Sequence, residues 1–168
     1  MLKSNLTKKL LASTGAALLS TAVYAADPPP AKEGLWSVHT QTTKNPGNQK
    51  SEETYTLCRT NTFDHAVQES VKKIKGCTMT RDALEGDKYF QNLHCVTPTT
   101  VVESKATTTF QGTTGIHAET HATYNPAMSG ISEMTIVMDQ KYVGRCPPGA
   151  IPGDKTDPSG KLTRLGAQ

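Results

Sequence analysis

The side chains of this chain best suited to chemistry stand in the pentapeptide HAETH, where His117, Glu119 and His121 alternate with small residues, and in His94 a short way upstream. Imidazole and carboxylate are the ligands zinc takes, and a metal-handling protein or small enzyme would use this group. If the segment is a strand, the three share a face, but successive residues on one face are about 7 Å apart. His117 and His121 then stand about 13 Å apart, too far to share one ion. A site would need one of them, Glu119 and a residue of the neighbouring strand. The same pattern also suits the wet face of an antiparallel sheet, with Ile116, Ala118, Ala122 and Tyr124 on the opposite side.

Other candidates are single residues. Trp36 could stack on a ligand, yet it shares strand parity with Val38, which favours a role as aromatic anchor of the core. Met128, Met134 and Met138 could take Cu(I), but Met134 and Met138 share parity with Ile136, as packing residues would. The chain has no G-x-S-x-G, no H-E-x-x-H, no glycine-rich phosphate loop and no EF-hand pattern. No catalytic residue is assigned, and nothing in the sequence calls for a cofactor.

The four cysteines, Cys58, Cys77, Cys95 and Cys146, include no Cys-x-x-Cys pair of the zinc type. In an oxidising compartment they would form two disulfides. Three pairings are open to four cysteines. Cys77 and Cys95 lie symmetrically about Gly86, which favours their pairing and leaves Cys58 with Cys146. A hairpin turning at Glu85-Gly86-Asp87 would set the first pair directly opposite one another.

Residues 1–25 read as a secretory signal peptide, with Lys3, Lys8 and Lys9 ahead of a mildly apolar run from Leu10 to Val23 and a small-residue cleavage site after Ala25. The apolar run is too short and too interrupted for a membrane span. Those three lysines account for the whole excess of 18 basic over 15 acidic residues. A mature chain without net charge lacks the electrostatic footprint of a nucleic-acid or anionic-membrane partner.

Residues 26–33 and 147–168, rich in Pro, Gly and charge, are expected to be a flexible start and a disordered tail around one domain at 34–146. Within that domain GLWSVHTQTT and SEETYTLCR form a first hairpin, CTMTRDALEGDKYFQNLHCV a second, and TTVVESKATTTFQ, TGIHAETHATY and ISEMTIVMDQKYVG three further strands. In NTFDHAVQESVKKIKG the residues Phe63, Ala66, Val67, Val71 and Ile74 make a helical stripe, with Asn61 or Thr62 as cap, Lys72, Lys73 and Lys75 near its end, and Gly76 as stop. The expected fold is mainly β: an antiparallel meander or partly closed barrel of about seven strands with one crossing helix. Large apolar side chains are sparse between Gly34 and Cys146. The core must be thin, and a filled interior or shallow groove is expected rather than a deep pocket.

A Pro-rich start, EGLWSV at Glu33–Val38, TLC ending at Cys58 before a helix, GCTMT with Cys77, LHC with Cys95 and GRC ending at Cys146 occur here in one order. In that order the chain resembles the domain of unknown function 3617 family, found in exported proteins of Gram-negative bacteria. The resemblance covers about Pro28 to Cys146. The loop KNPGNQ departs from the Met-Pro-Gly-rich loop often found there, and the tail runs on past Cys146 to Gln168. The resemblance implies a periplasmic β-rich domain and supplies no catalytic or ligand residues. The functional expectation is a non-catalytic envelope module whose concave sheet face takes a small apolar ligand or another protein. The rival expectations are the metal or enzyme role of the strand histidines and a structural envelope protein without ligand.

Overall fold

Alternation of apolar or small residues with charged ones asks for strands wet on one side, and most of the described residues obey it. A computed structural model describes residues 27–165, so the expected signal peptide at 1–25 lies outside the described residues. The strands are β1 (Gly34–Asn45), β2 (Gln49–Arg59), β3 (Cys77–Glu85), β4 (Lys88–Val96), β5 (Val101–Gln111), β6 (Gly115–Met128), β7 (Ile131–Gly144), β8 (Asp154–Thr156) and β9 (Leu162–Arg164). Among the described residues there is one helix, α1 (Asn61–Lys72), between β2 and β3. The strands form one antiparallel sheet in the order β3-β4-β5-β6-β7-β1-β2-β8-β9, which does not close. The expected meander is present as β3 to β7, and β1 with β2 pairs onto its far side through β7.

Cross-strand partners share a face, so the register divides the sheet. One face carries Trp36, Val38, Tyr55, Leu57, Ile136, Met138, Ile116, Ala118, Ala122, Tyr89 and Leu93. The other carries His39, Thr54, Asp139, His117, Glu119, His121 and Lys105. The core lies on the first face and is thin: among the described residues, only Trp36 and Val38 have fully buried large side chains. Phe63 of α1 and Met138 pack against its cluster of Val38, Tyr55 and Leu57.

The helix leaves β2 and must reach β3, at the far edge of the β3–β7 meander, so it crosses the apolar face. Its N-cap is Thr60, one position earlier than expected, whose Oγ1 accepts the Phe63 N–H at 3.2 Å. The Asn61 N–H, a second orphan donor of the helix start, is met by the Glu33 carboxylate at 3.0 Å. Beyond the helix, Gly76 has φ +80, and a Cβ there would lie 2.6 Å from the Val96 carbonyl oxygen. Only glycine permits both that conformation and that approach.

Both ends of the domain correct the sequence expectation. The start is ordered from Asp27: the Trp36 indole N–H donates to the Lys32 carbonyl at 2.8 Å, and the Lys32 N–H donates to the Thr113 carbonyl. In the tail, β8 pairs with β2 through Thr56 and Leu57, and β9 pairs with β8, which extends the sheet beyond the expected strands. Asp154 organises this hairpin, accepting the Ile151 N–H at 2.9 Å and Arg164 Nε–H at 3.0 Å. Gly153 donates its N–H to the Cys58 carbonyl at 2.8 Å, next to the disulfide. Pro and Gly content reports local backbone preference and is silent on such long-range anchors.

The disulfides are Cys58–Cys146 and Cys77–Cys95, and the second joins residues paired directly across β3 and β4. Their sequence separations, 88 and 18, rank their effects on the unfolded chain. Replacing Cys58 and Cys146 by Ala is expected to lower stability by about 4–5 kcal/mol, against about 3 kcal/mol for Cys77 and Cys95. Urea titration of the two double variants checks the order.

Candidate functional site

On the polar face the strand geometry places His117, Glu119 and His121 side by side as their spacing requires, but not around one point. His117 Nδ1 lies 2.7 Å from Asp139 Oδ1 on β7, and its Nε2 lies 3.2 Å from Glu119 Oε1. Both ring nitrogens are thus engaged by carboxylates. His121 is flanked in register by Lys105 and Thr135. His94 lies two strands away on β4, its Nδ1 2.5 Å from Glu103 Oε1. Among the described residues no group of three or more His, Cys, Asp or Glu is placed to hold a metal ion. The four candidates therefore do not form one site, because the pleat spaces three of them along β6, where His117 is taken by Asp139 and Glu119, while His94 meets Glu103 two strands away.

Hydrogen bonding to Asp139, then to Glu119, raises the His117 pKa above its ordinary 6.5. A histidine whose folded pKa is raised contributes stability that is fully present below the unfolded value and is lost as pH rises through the folded one. Thermal unfolding of the wild type should therefore show a loss of stability above pH 6.5. In His117→Gln that component should disappear.

Trp36 also corrects its candidate role. It is fully buried, meets Tyr142 edge-on with centroids 6.1 Å apart, and lies beneath the Arg59 guanidinium at 4.8 Å. No ligand can stack on it. Its one polar atom is spent on Lys32, as buried indoles require.

The apolar face is different. Every residue of α1 keeps some exposure, and Val67 and Ile74 of the apolar stripe are 39% and 48% exposed. The stripe faces the sheet across a groove of about 390 Å³, lined by Phe63 and Val67 on the helix, Tyr55, Leu57 and Met138 on the sheet, and Leu165 from the tail. On the other flank of α1 a space of about 460 Å³ lies between the helix, Phe110 and the proline run Pro28–Pro30. Burial raises the pKa of Tyr55, so its hydroxyl stays neutral in the groove. Two polar atoms on the same face, Thr40 Oγ1 and Gln91 Nε2, are buried without a hydrogen-bond partner among the described residues.

The helix is held across this space at both ends. At its start Arg59 donates to both carboxylate oxygens of Asp64 at 3.0 Å and to Gln140 Oε1 at 2.7 Å. At its end Lys72 Nζ lies 3.7 Å from Asp82 on β3. Asp82 also accepts the Tyr89 hydroxyl, whose pKa is raised first by burial and then by that bond. The spacing of Phe63, Ala66, Val67, Val71 and Ile74 reveals the stripe but not what it packs against. Arg59, Asp64 and Gln140 carry no motif, and their meeting depends on the β1–β7 and β1–β2 registers.

Among the described residues no helix is long and apolar enough to cross a membrane. The family model described as "Protein of unknown function (DUF3617)" matches residues 31–146, ending at the last cysteine and ahead of β8 and β9. No curated protein matches the chain.

Proposed function

Since the chain belongs to the family described as protein of unknown function DUF3617, we propose that it is an exported, non-catalytic module of the periplasm that binds a small apolar molecule between α1 and its sheet. The observation that carries this is the incompletely buried helix stripe. An amphipathic helix normally gains its stability by burying such a stripe, yet here only Phe63 packs on the buried Tyr55 and Leu57, while Val67 and Ile74 stay exposed and Met138 on the sheet is only partly buried.

Export is supported by the two disulfides, which form and persist in oxidising compartments, and by the leader-like residues 1–25. Binding rather than catalysis is supported by the groove's lining, in which the charged pair Arg59 and Asp64 is consumed by its own ion pair. Apolar lining with a few polar groups is the usual character of a small-molecule site.

The test is titration of the purified protein with the neutral fluorophore N-phenyl-1-naphthylamine. Val67→Asp places a charge on an exposed helix position inside the groove and is expected to weaken binding roughly tenfold, by desolvation of the carboxylate. Val143→Asp, at an exposed position on β7 that does not line the groove, should bind like the wild type. Equal binding by all three proteins would refute a site at this groove. A wild type that takes up no probe would leave the protein a structural component of the envelope.

A further inference from the structure

The apolar face continues beyond the groove in a shape that specifies more than apolarity. Along the middle of β5 and β6, between Phe110 and Ile116 at one end and Val102 and Tyr124 at the other, the residues on this face are Ser104, Ala106, Thr108, Ala118, Thr120 and Ala122. All are small, and all but the buried Ala122 are partly open to solvent. On one side β7 raises Met134, Ile136 and Met138, each in register with a small residue of β6. On the other, β4 raises Tyr89 and Leu93, in register with Thr108 and Ser104. Small floor residues between large walls make a trough that follows the strand direction. From Ser104 to Thr108 it runs about 14 Å, and Met138 joins it to the groove beneath α1.

The trough has a polar rim at one end. Lys44 of β1 pairs with Met134, whose other partner is Ala122, so the lysine shares this face in the last row of the floor, one strand beyond the Met134 wall and within reach over it for a long side chain. Lys44 is only partly exposed and forms no ion pair among the described residues. Glu53, on the same face of β2, is taken by Lys155. A narrow channel two strands wide fits one linear chain better than a compact ring system. Methionine walls adapt to such a chain at little cost, and an ammonium at the rim selects an anionic head.

Building on the proposed site, we infer that its ligand is a single-chain anionic amphiphile, a fatty acid, with the acyl chain over β5 and β6 and the carboxylate at Lys44. The partner is thus fixed by shape along the floor and by charge at one end.

The experiment displaces N-phenyl-1-naphthylamine from the full chain with dodecanoate and, separately, with its uncharged counterpart dodecanol. Dodecanoate should displace the probe and should bind the wild type more tightly than dodecanol. Lys44→Glu should weaken dodecanoate roughly threefold to tenfold, the range a partly exposed ion pair supports, while leaving dodecanol unchanged. Ala106→Met, which fills the floor at a partly exposed position, should weaken both, with circular dichroism confirming that the variant is folded. Should that variant not fold, Thr120→Met tests the same floor from β6.

If the fluorophore binds but dodecanoate does not displace it, the apolar site stands and the fatty-acid assignment is overturned. Equal effects of Lys44→Glu on the acid and the alcohol would overturn the placement of the head, and unchanged binding in the filled-floor variant would overturn the trough. Failure of the fluorophore itself to bind removes the site together with this ligand.

Discussion

Arg59 is the residue on which the relation of helix to sheet depends. Its guanidinium lies over Trp36, a fully buried side chain, and donates to Asp64 in the first turn of α1 and to Gln140 on β7. The paired side chains of Arg59 and Asp64 are 11% and 22% exposed, so both charges are largely taken from water. Loss of one partner would strand the other, which makes such a pair far more costly to break than its net contribution to stability suggests. Planarity matters too: a lysine could not lie over an indole while engaging both oxygens of a carboxylate. Trp36, α1 and β7 are thereby fixed with respect to one another by a single side chain.

Around that knot the sheet has a divided character. Its polar face is ordered by short-range pairs, His117 with Asp139, His94 with Glu103, Gln41 with Glu52, which sit on the surface and contribute little individually. Its apolar face has a dense patch near Trp36 and Val38 and becomes open toward Met134 and Ser104. A core this small is helped by constraint of the unfolded chain, and the two disulfides act there. The helix tethered at Arg59 and Asp82 can then stay clear of the sheet between its ends.

Much of this was legible in the residues themselves. Period-two alternation placed β1 to β7 within a few positions, because each strand has one wet and one dry face and no alternative period fits. The symmetric placement of Cys77 and Cys95 about Gly86 foretold their pair, although the turn itself pairs Glu85 with Lys88 and a bulge at Thr80 shifts the register by one so that the cysteines meet. The tail was illegible for the opposite reason: β8 and β9 are very short and are held by Asp154, Arg164 and the edge of β2, contacts with no local signature. For the histidines, spacing correctly set His117, Glu119 and His121 on one face, while the pairing of His117 with Asp139 and of His94 with Glu103 depended on which acids stand on β7 and β5. The helix stripe was visible, but period alone cannot say whether a stripe is pressed against its neighbour or held above it.

The strand order divides assembly into local and non-local parts. The β1–β2 hairpin and the β3–β7 meander are each built from neighbours in sequence, whereas β1 meets β7 only across pairs such as Asn45 and Glu133, 88 positions apart. Closing that seam is the slow, non-local step of assembly. A chain emerging N-terminus first exposes the inner edge of β1, with Trp36 beside it, until β7 has followed. Until then it is a hairpin and a growing meander that cannot yet become one sheet.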